Sequence, residues 1–262
     1  MIFAVDAGNT NIVIGTLSEQ GEIYFTSRIA TNSSMTGDQY AVLIKNILNL
    51  YKINPDSISG SIISTVVPAL KESLSIAIKL LFGAPPMVVG QGIDLGLKVS
   101  GIPAEAIGAD LICAAVGALK KYPAPMIIFD FGTATTITAI DSEGVFLGGS
   151  IVPGAKISLN ALCKSAALLK DIDLFSADSL SPISLDTSLC MKSGIVLGSA
   201  SMMDGMIQRC RKKIGENALV IATGGLAGTI VPHCVTPGII LDRELLLHGL
   251  LEIYLRNKIY DE

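Results

Sequence analysis

The 262-residue chain has no tryptophan, 5% aromatic residues and only 16% charged residues. Platforms that bind nucleic acid stack bases on aromatic side chains along a cationic groove. Here 19 lysines and arginines face 23 aspartates and glutamates, a net charge of −4. That balance, with so few aromatics, argues against a nucleic-acid partner. Histidine is scarcer still, with His233 and His248 alone. The five cysteines (Cys113, Cys163, Cys190, Cys210, Cys234) are odd in number and scattered, with no C-x-x-C pair. A zinc site and a disulfide framework both lack their residues. The thiols read as free and buried in a reducing cytoplasm.

Long apolar runs are missing too, although half the residues are hydrophobic. A membrane-spanning helix needs about 18 uncharged apolar residues, and the most apolar helical run, Ile107 to Leu119, carries Asp110 in its first turn. No cationic segment precedes the apolar residues of MIFAVDAGNT, so a signal peptide is not expected. No G-x-x-x-x-G-K-[ST] and no G-x-G-x-x-G occurs, so P-loop and dinucleotide readings lack their core feature.

What the chain does have is alternating strands and helices. Ile2–Asp6, Ile12–Leu17 and Ile23–Ile29 read as strands joined by Gly- and Asn-containing turns. Helical spacing follows over Gln39–Tyr51, then a β-branched strand over Ser61–Val67 and a helix opened by Pro68. Met87–Val89 reads as a strand ended by Gly90-Gln91-Gly92. The pattern then repeats: Met126–Asp130, Ile137–Asp141 and Val145–Ile151 form a second set of three strands. Asp6, Gly8, Ser18 and Glu19 recur at one offset of 124 as Asp130, Gly132, Ser142 and Glu143. A duplicated unit is the expectation. Helices are expected near Ala155–Leu168, Ser188–Lys213 and Leu241–Arg256, with a strand over Leu219–Ala222. The break near Val99–Ile107, with Ser100, Gly101 and Pro103, divides the chain into an N-terminal lobe, 1–103, and a C-terminal lobe, 104–262.

Two turns carry the candidate chemistry. Asp6-Ala7-Gly8-Asn9-Thr10 follows a buried strand, where an aspartate is costly unless hydrogen-bonded or beside a cation. Glycine lets backbone amides approach an anion, and Asn9, Thr10 and Asn11 add short donors. Asp130-Phe131-Gly132-Thr133-Ala134-Thr135-Thr136 has the same composition. One acidic turn per repeat suits the two ends of a triphosphate, with an acid placed to organise hydrated Mg²⁺. Ala222-Thr223-Gly224-Gly225 reads as an adenosine pocket or as an ordinary strand-to-helix turn, and Gly148–Gly154 as a pocket wall or a simple turn. Asp110, in Gly108-Ala109-Asp110-Leu111, is either a helix N-cap or a carboxylate able to take a proton from a hydroxyl.

With these motifs assembled, the chain resembles the type III pantothenate kinases, members of the actin, hexokinase and sugar-kinase superfamily. The motifs are DAGNTNIVIG at Asp6, SIISTVVP at Ser61, VVGQGIDLGL at Val88, GADL at Gly108, DFGTATT at Asp130, GGSIVPG at Gly148 and ATGGLA at Ala222. The resemblance implies a duplicated α/β fold of the actin-like ATPase (ribonuclease H-like) kind, two lobes with a central cleft. It implies ATP-dependent phosphorylation of pantothenate to 4'-phosphopantothenate, the first step of coenzyme A synthesis. By the same resemblance, Asp6, Ala7, Gly8, Asn9, Thr10, Asn11, Ile12 and Val13 form the nucleotide phosphate loop, with Asp6 serving Mg²⁺ through phosphate and water. Asp110 is the implied proton acceptor, Asp130 the ligand of a monovalent cation (K⁺ or NH₄⁺), and Thr133 a contact to ATP. Gly108, Ala109, Asp110, Leu111 and Thr187 are the implied acceptor-binding residues. A cytoplasmic homodimer with no membrane or nucleic-acid partner completes the picture.

The departures lie on the acceptor side. Where the family has Arg after Gly-Ala-Asp this chain has Leu111, where it has Asn this chain has Ala114, and an upstream Tyr falls near Ser100. A hydrogen bond to a charged group contributes about 1.5–3 kcal/mol, and a buried carboxylate without its partner costs about 3–5 kcal/mol. Weak binding of pantothenate by a hundred- to several-thousand-fold, roughly, is the consequence. Three readings stay open: a compensated pantothenate kinase, a kinase for a related hydroxyl compound without the carboxylate such as pantetheine, and a nucleotide-binding non-catalytic paralogue or regulatory subunit.

Overall fold

The structure, a computed structural model, describes residues 1–90, 92–166, 168–175 and 180–258. Gln91 of the second glycine turn and Ala167 of the expected fourth helix lie outside them. The chain forms two compact units, Met1–Lys121 together with the segment from Glu244, and Tyr122–Arg243.

In the first unit, apolar strands β1 (Ile2–Ala7) and β2 (Asn11–Leu17) pair antiparallel, and β3 (Ile23–Ala30) pairs antiparallel with β2. Then come α1 (Gly37–Leu50), β4 (Gly60–Thr65), α2 (Pro68–Phe82) and the two-residue strands β5 (Met87–Val88) and β6 (Lys98–Val99). β4 lies parallel to β1 and β5 parallel to β4, giving the order β3-β2-β1-β4-β5. Helix α1 starts at a capping box. Thr36 Oγ1 accepts the Gln39 amide, and Gln39 Oε1 accepts the Thr36 amide. Its buried stripe is Tyr40, Ile44, Ile47 and Leu48. Helix α2 opens on Pro68 and stops at Gly83, whose φ of 80° completes a left-handed cap.

Strand alternation sends Phe3, Val5, Ile12 and Ile14 to the α1/α2 face, and Ile2, Ala4, Leu17 and Ile62 to the opposite face. That second face is covered by α3 (Ala109–Lys121) and the last helix, α7 (Leu245–Asn257). The two helices touch through glycine. A methyl group on Gly249 would fall on the Cys113 backbone, and one on Gly117 on the Leu245 carbonyl. This contact explains why the compact units depart from the expected boundary at residue 103. The segment 104–121 and the C-terminal helix both complete the core of the first sheet.

The second unit repeats the topology with β7 (Met126–Phe131), β8 (Ala134–Ile140), β9 (Val145–Pro153), α4 (Ala155–Ser165), α5 (Thr187–Ile214), β10 (Leu219–Thr223), α6 (Ala227–Ile230) and β11 (Ile240–Leu241). Its strands run β9-β8-β7-β10-β11, with β7–β8 and β8–β9 antiparallel and β7–β10 and β10–β11 parallel. The core packs Ile127, Phe129, Phe131 and Val220 against Leu159 of α4 and Met203 and Ile207 of α5.

The duplication has a finer register than a single offset. Ala7 pairs with Ile12 across the first turn, but Phe131 pairs with Thr135 across the second, which is one residue shorter. The offset of 124 therefore holds as far as Gly132 and becomes 123 beyond it. The strand irregularities at Thr16/Leu17 and Ala139/Ile140 match on the shorter offset. So do the turn glycines Gly21 and Gly144, both with positive φ. The identities of Ser18 with Ser142 and Glu19 with Glu143 are out of structural register.

Two further expectations are corrected. Leu241 does not begin the last helix: Ile240–Leu241 pairs with β10, and the helix starts at Leu245. The cysteines are free, but only Cys113 is fully buried and Cys190 is exposed.

Candidate active site

The first acidic turn is tied down from both sides. The Ala7 carbonyl accepts the Val66 amide at 3.3 Å and the Thr65 hydroxyl at 3.2 Å. The Gly8 carbonyl accepts the Thr31 hydroxyl at 2.6 Å, and the Thr10 carbonyl accepts the Thr31 amide at 3.0 Å. Across the turn, the Asn11 carbonyl accepts the Gly8 amide at 3.0 Å. Four carbonyl oxygens are thus engaged inside the unit, while Asn9 and Thr10 are exposed. A ligand approaching this turn meets amides and short polar side chains, the polarity an anion requires.

Asp6 sits at the carboxyl end of β1, opposite Val13 on β2 and Ser64 on β4. Ser64 is fully buried beside the Cys113 thiol. Asp110 comes from the first turn of α3, one turn before Cys113. The Cys113 thiol is pushed well above its ordinary pKa, first by burial and then by the charge of Asp6. The neighbouring Ser64 hydroxyl pulls the other way, and the Asp110 charge adds to the rise. Both carboxylates therefore lie within electrostatic reach of one buried sulfur, and both belong to the first unit.

Asp110 is not the N-cap residue, because α3 already begins at Ala109. Its Oδ1 accepts the Leu111 amide at 2.8 Å, satisfying one free amide of the first helical turn. Leu111 is half-buried, Ala114 is buried within α3 and Ser100 is exposed. No cation stands at any of the three positions.

The second turn is built by the same rules. The Phe131 carbonyl accepts the Leu226 amide at 3.4 Å, and the Ala134 carbonyl accepts the Gly132 amide at 3.1 Å. Asp130 is opposite Thr136 on β8 and Thr223 on β10. Gly224 follows with φ of 90°, and a methyl group there would strike Asp130 Oδ1 and the Phe131 backbone. A side chain at Gly154 would fall on the Gly132 and Thr133 carbonyls. The glycines of ATGGLA and GGSIVPG thus make room beside Asp130 and its turn. Thr133 is exposed on the turn, and Thr187 is exposed at the first position of α5, whose cap is Asp186. The sequence alone gives Ser64 and Cys113 no role and reads Thr223 as part of an adenosine pocket or an ordinary turn; what marks Ser64 and Thr223 is their position opposite an aspartate in the parallel strand pairs.

Solved structures of the actin-like fold share this duplicated topology. The activator of the 2-hydroxyisocaproyl-CoA dehydratase from Clostridium difficile, solved with bound ADPNP, matches with a TM-score of 0.54 at 14% identity over 97% of this chain and 92% of that one. Component A of the (R)-2-hydroxyglutaryl-CoA dehydratase of Acidaminococcus fermentans matches at 0.53 and 16% identity over 98% of both. At this identity the likeness fixes the fold. Within that class, the sequence model of the type III pantothenate kinases matches residues 2–209. A type III pantothenate kinase of Exiguobacterium sibiricum is 41% identical over 258 residues, covering 98% of this chain and 100% of that protein. One from Moorella thermoacetica is 36% identical over 259 residues, with the same coverage. The chain belongs to the type III pantothenate kinase family.

Proposed function

We propose that the protein is an ATP-dependent kinase that phosphorylates pantothenate to 4'-phosphopantothenate, in the first step of coenzyme A synthesis. The observation that carries the chemistry is the placing of Asp6 and Asp110 around Cys113 in one unit. An acceptor hydroxyl beside Asp110 attacks the γ-phosphorus. The new O–P bond forms as the bond from phosphorus to the β,γ-bridging oxygen breaks, ADP leaves with that electron pair, and the hydroxyl proton passes to the Asp110 carboxylate.

The turn Asp6–Val13 orients the phosphates through its amides and short side chains, and Thr133 contacts the nucleotide. The occupied carbonyls of the first turn and the exposed Asn9 and Thr10 suit a polyphosphate, and Asp6 suits its hydrated Mg²⁺. Bound Mg²⁺ neutralises charge on the phosphates during transfer. Asp130, with the space left by Gly224, would hold K⁺ or NH₄⁺. Gly108, Ala109, Leu111 and Thr187 border the acceptor. A cytoplasmic homodimer is part of the proposal; the exposed apolar Ile151, Phe175, Ile183 and Leu185 of the second unit support self-association. No helix among the described residues is long and apolar enough to cross a membrane.

A second reading is favoured by Leu111, which offers a pantothenate carboxylate no partner: an acceptor of the same shape without the carboxylate. An ADP-release assay with pantothenate and with pantetheine, each with and without K⁺, separates the two. Turnover of pantothenate, with a KM lowered by Leu111→Arg, is the expected result. Turnover of pantetheine alone establishes the second reading, and nucleotide binding without turnover of either compound rejects both.

A further inference from the structure

The pairing of the first sheet sets up one row of residues across four strands. Arg28 on β3 is opposite Val13, Val13 is opposite Asp6, and Asp6 is opposite Ser64. Directly opposed residues share a face of the sheet. The face is identified two residues along β2, where a side chain on Gly15 would meet Leu247 of α7. Arg28 therefore stands on the face covered by α3 and α7, the face that carries Asp6 and meets Cys113. Two strand spacings separate its Cα from that of Asp6, about 10 Å. An arginine side chain spans most of that gap over the smaller Val13. The Thr31 bonds to Gly8 and Thr10 hold the end of β3 against the turn, so the position of Arg28 is fixed relative to it.

Arg28 is exposed and makes no hydrogen bond or ion pair among the described residues. Its charge is not spent on the fold. The duplication supplies a control, because the matching row in the second unit is Ile151, Thr136, Asp130 and Thr223. The aspartate and the neighbouring hydroxyl recur, whereas the place of Arg28 is taken by isoleucine. This topology does not require a cation there.

We infer that Arg28 contacts the γ-phosphoryl group of the nucleotide and stabilises its charge during transfer. The inference rests on reading Asp6–Val13 as the phosphate loop. A guanidinium presents paired donors to phosphoryl oxygens, and the charge on the equatorial oxygens is what such a donor stabilises. The row passes through two residues of the phosphate loop, which assigns the arginine to the phosphate end of the reaction rather than to the acceptor.

Calorimetric titration with Mg²⁺ and either ADP or a non-hydrolysable ATP analogue tests this on the full chain. Arg28→Ala is expected to weaken the triphosphate analogue about 10- to 100-fold and to leave ADP affinity and thermal stability near the wild-type values. Arg28→Lys should recover part of the loss, and Thr26→Ala, a control on the same strand face, should bind both nucleotides as the wild type does. In turnover, Arg28→Ala should lower kcat with no change in the KM for the acceptor. Equal weakening of both nucleotides, no weakening of either, or a rise in acceptor KM alone overturns the assignment. If wild type binds both nucleotides but turns over no pantothenate, the proposed reaction fails while the nucleotide titration still decides Arg28. If wild type binds neither, the phosphate-loop reading falls and the Arg28 assignment with it.

Discussion

A carboxylate inside the first turn of a helix can serve the helix and the chemistry with different oxygens. Asp110 uses Oδ1 to accept the Leu111 amide, and its other oxygen accepts no hydrogen bond among the described residues. Asparagine keeps an oxygen for the amide and loses the ability to take a proton. Asp110→Asn should therefore lower kcat by about 10²- to 10⁴-fold with little change in melting temperature. A fall in melting temperature with kcat intact would instead make the group a helix-terminal support. At this scale, Asp6, Asp110 and Asp130 are legible in the sequence because each interrupts an apolar run. Ser64 and Cys113 are not, since a serine ending a strand and a cysteine in an apolar helix look like ordinary core. Arg28 is hidden for a different reason: a charge on an edge strand reads as solvated until the pairing register places it in the row of Asp6.

Among the elements, the crossing of α3 and α7 positions Asp110, because it sets how closely α3 lies on the sheet. Gly249 has no room for a side chain against the Cys113 backbone. Gly249→Ala forces the helices apart and should destabilise the protein by about 1–3 kcal/mol, a fall of roughly 2–10 °C in melting temperature. It should also lower kcat, by moving Asp110 away from Asp6. An unchanged melting temperature would mean the helices separate without resistance, which a packed contact does not allow. The strands and most helices were readable from their periodicity and turn residues. The shorter second turn was not, because its composition so nearly copies the first. Leu241 stands four residues before Leu245, a helical spacing, but two ladder pairs with β10 make Ile240–Leu241 a strand.

For the whole molecule, the consequential fact is that the first unit is discontinuous in sequence. A break in periodicity near Ser100 looks like a boundary, yet it reports a loop within the unit, and no local pattern shows that the last helix returns to the first sheet. The returning helix buries Leu245, Leu247, Leu250, Leu251 and Ile253. At about 1.5–3 kcal/mol for each fully buried side chain, their burial contributes on the order of 10 kcal/mol. The net stability of a folded domain is about 5–15 kcal/mol, so removing α7 takes away a quantity as large as the stability itself. It also exposes Ile2, Ala4 and Ile62, which α3 alone cannot cover. A chain ending at Arg243 should therefore lose the cooperative thermal transition of its first unit, followed by calorimetry, and should bind dyes that report exposed apolar surface. If that shortened chain instead kept the full transition at the original temperature, the first sheet would be stable without its second helix, and the boundary expected near residue 103 would describe the folding units better than the observed contacts do.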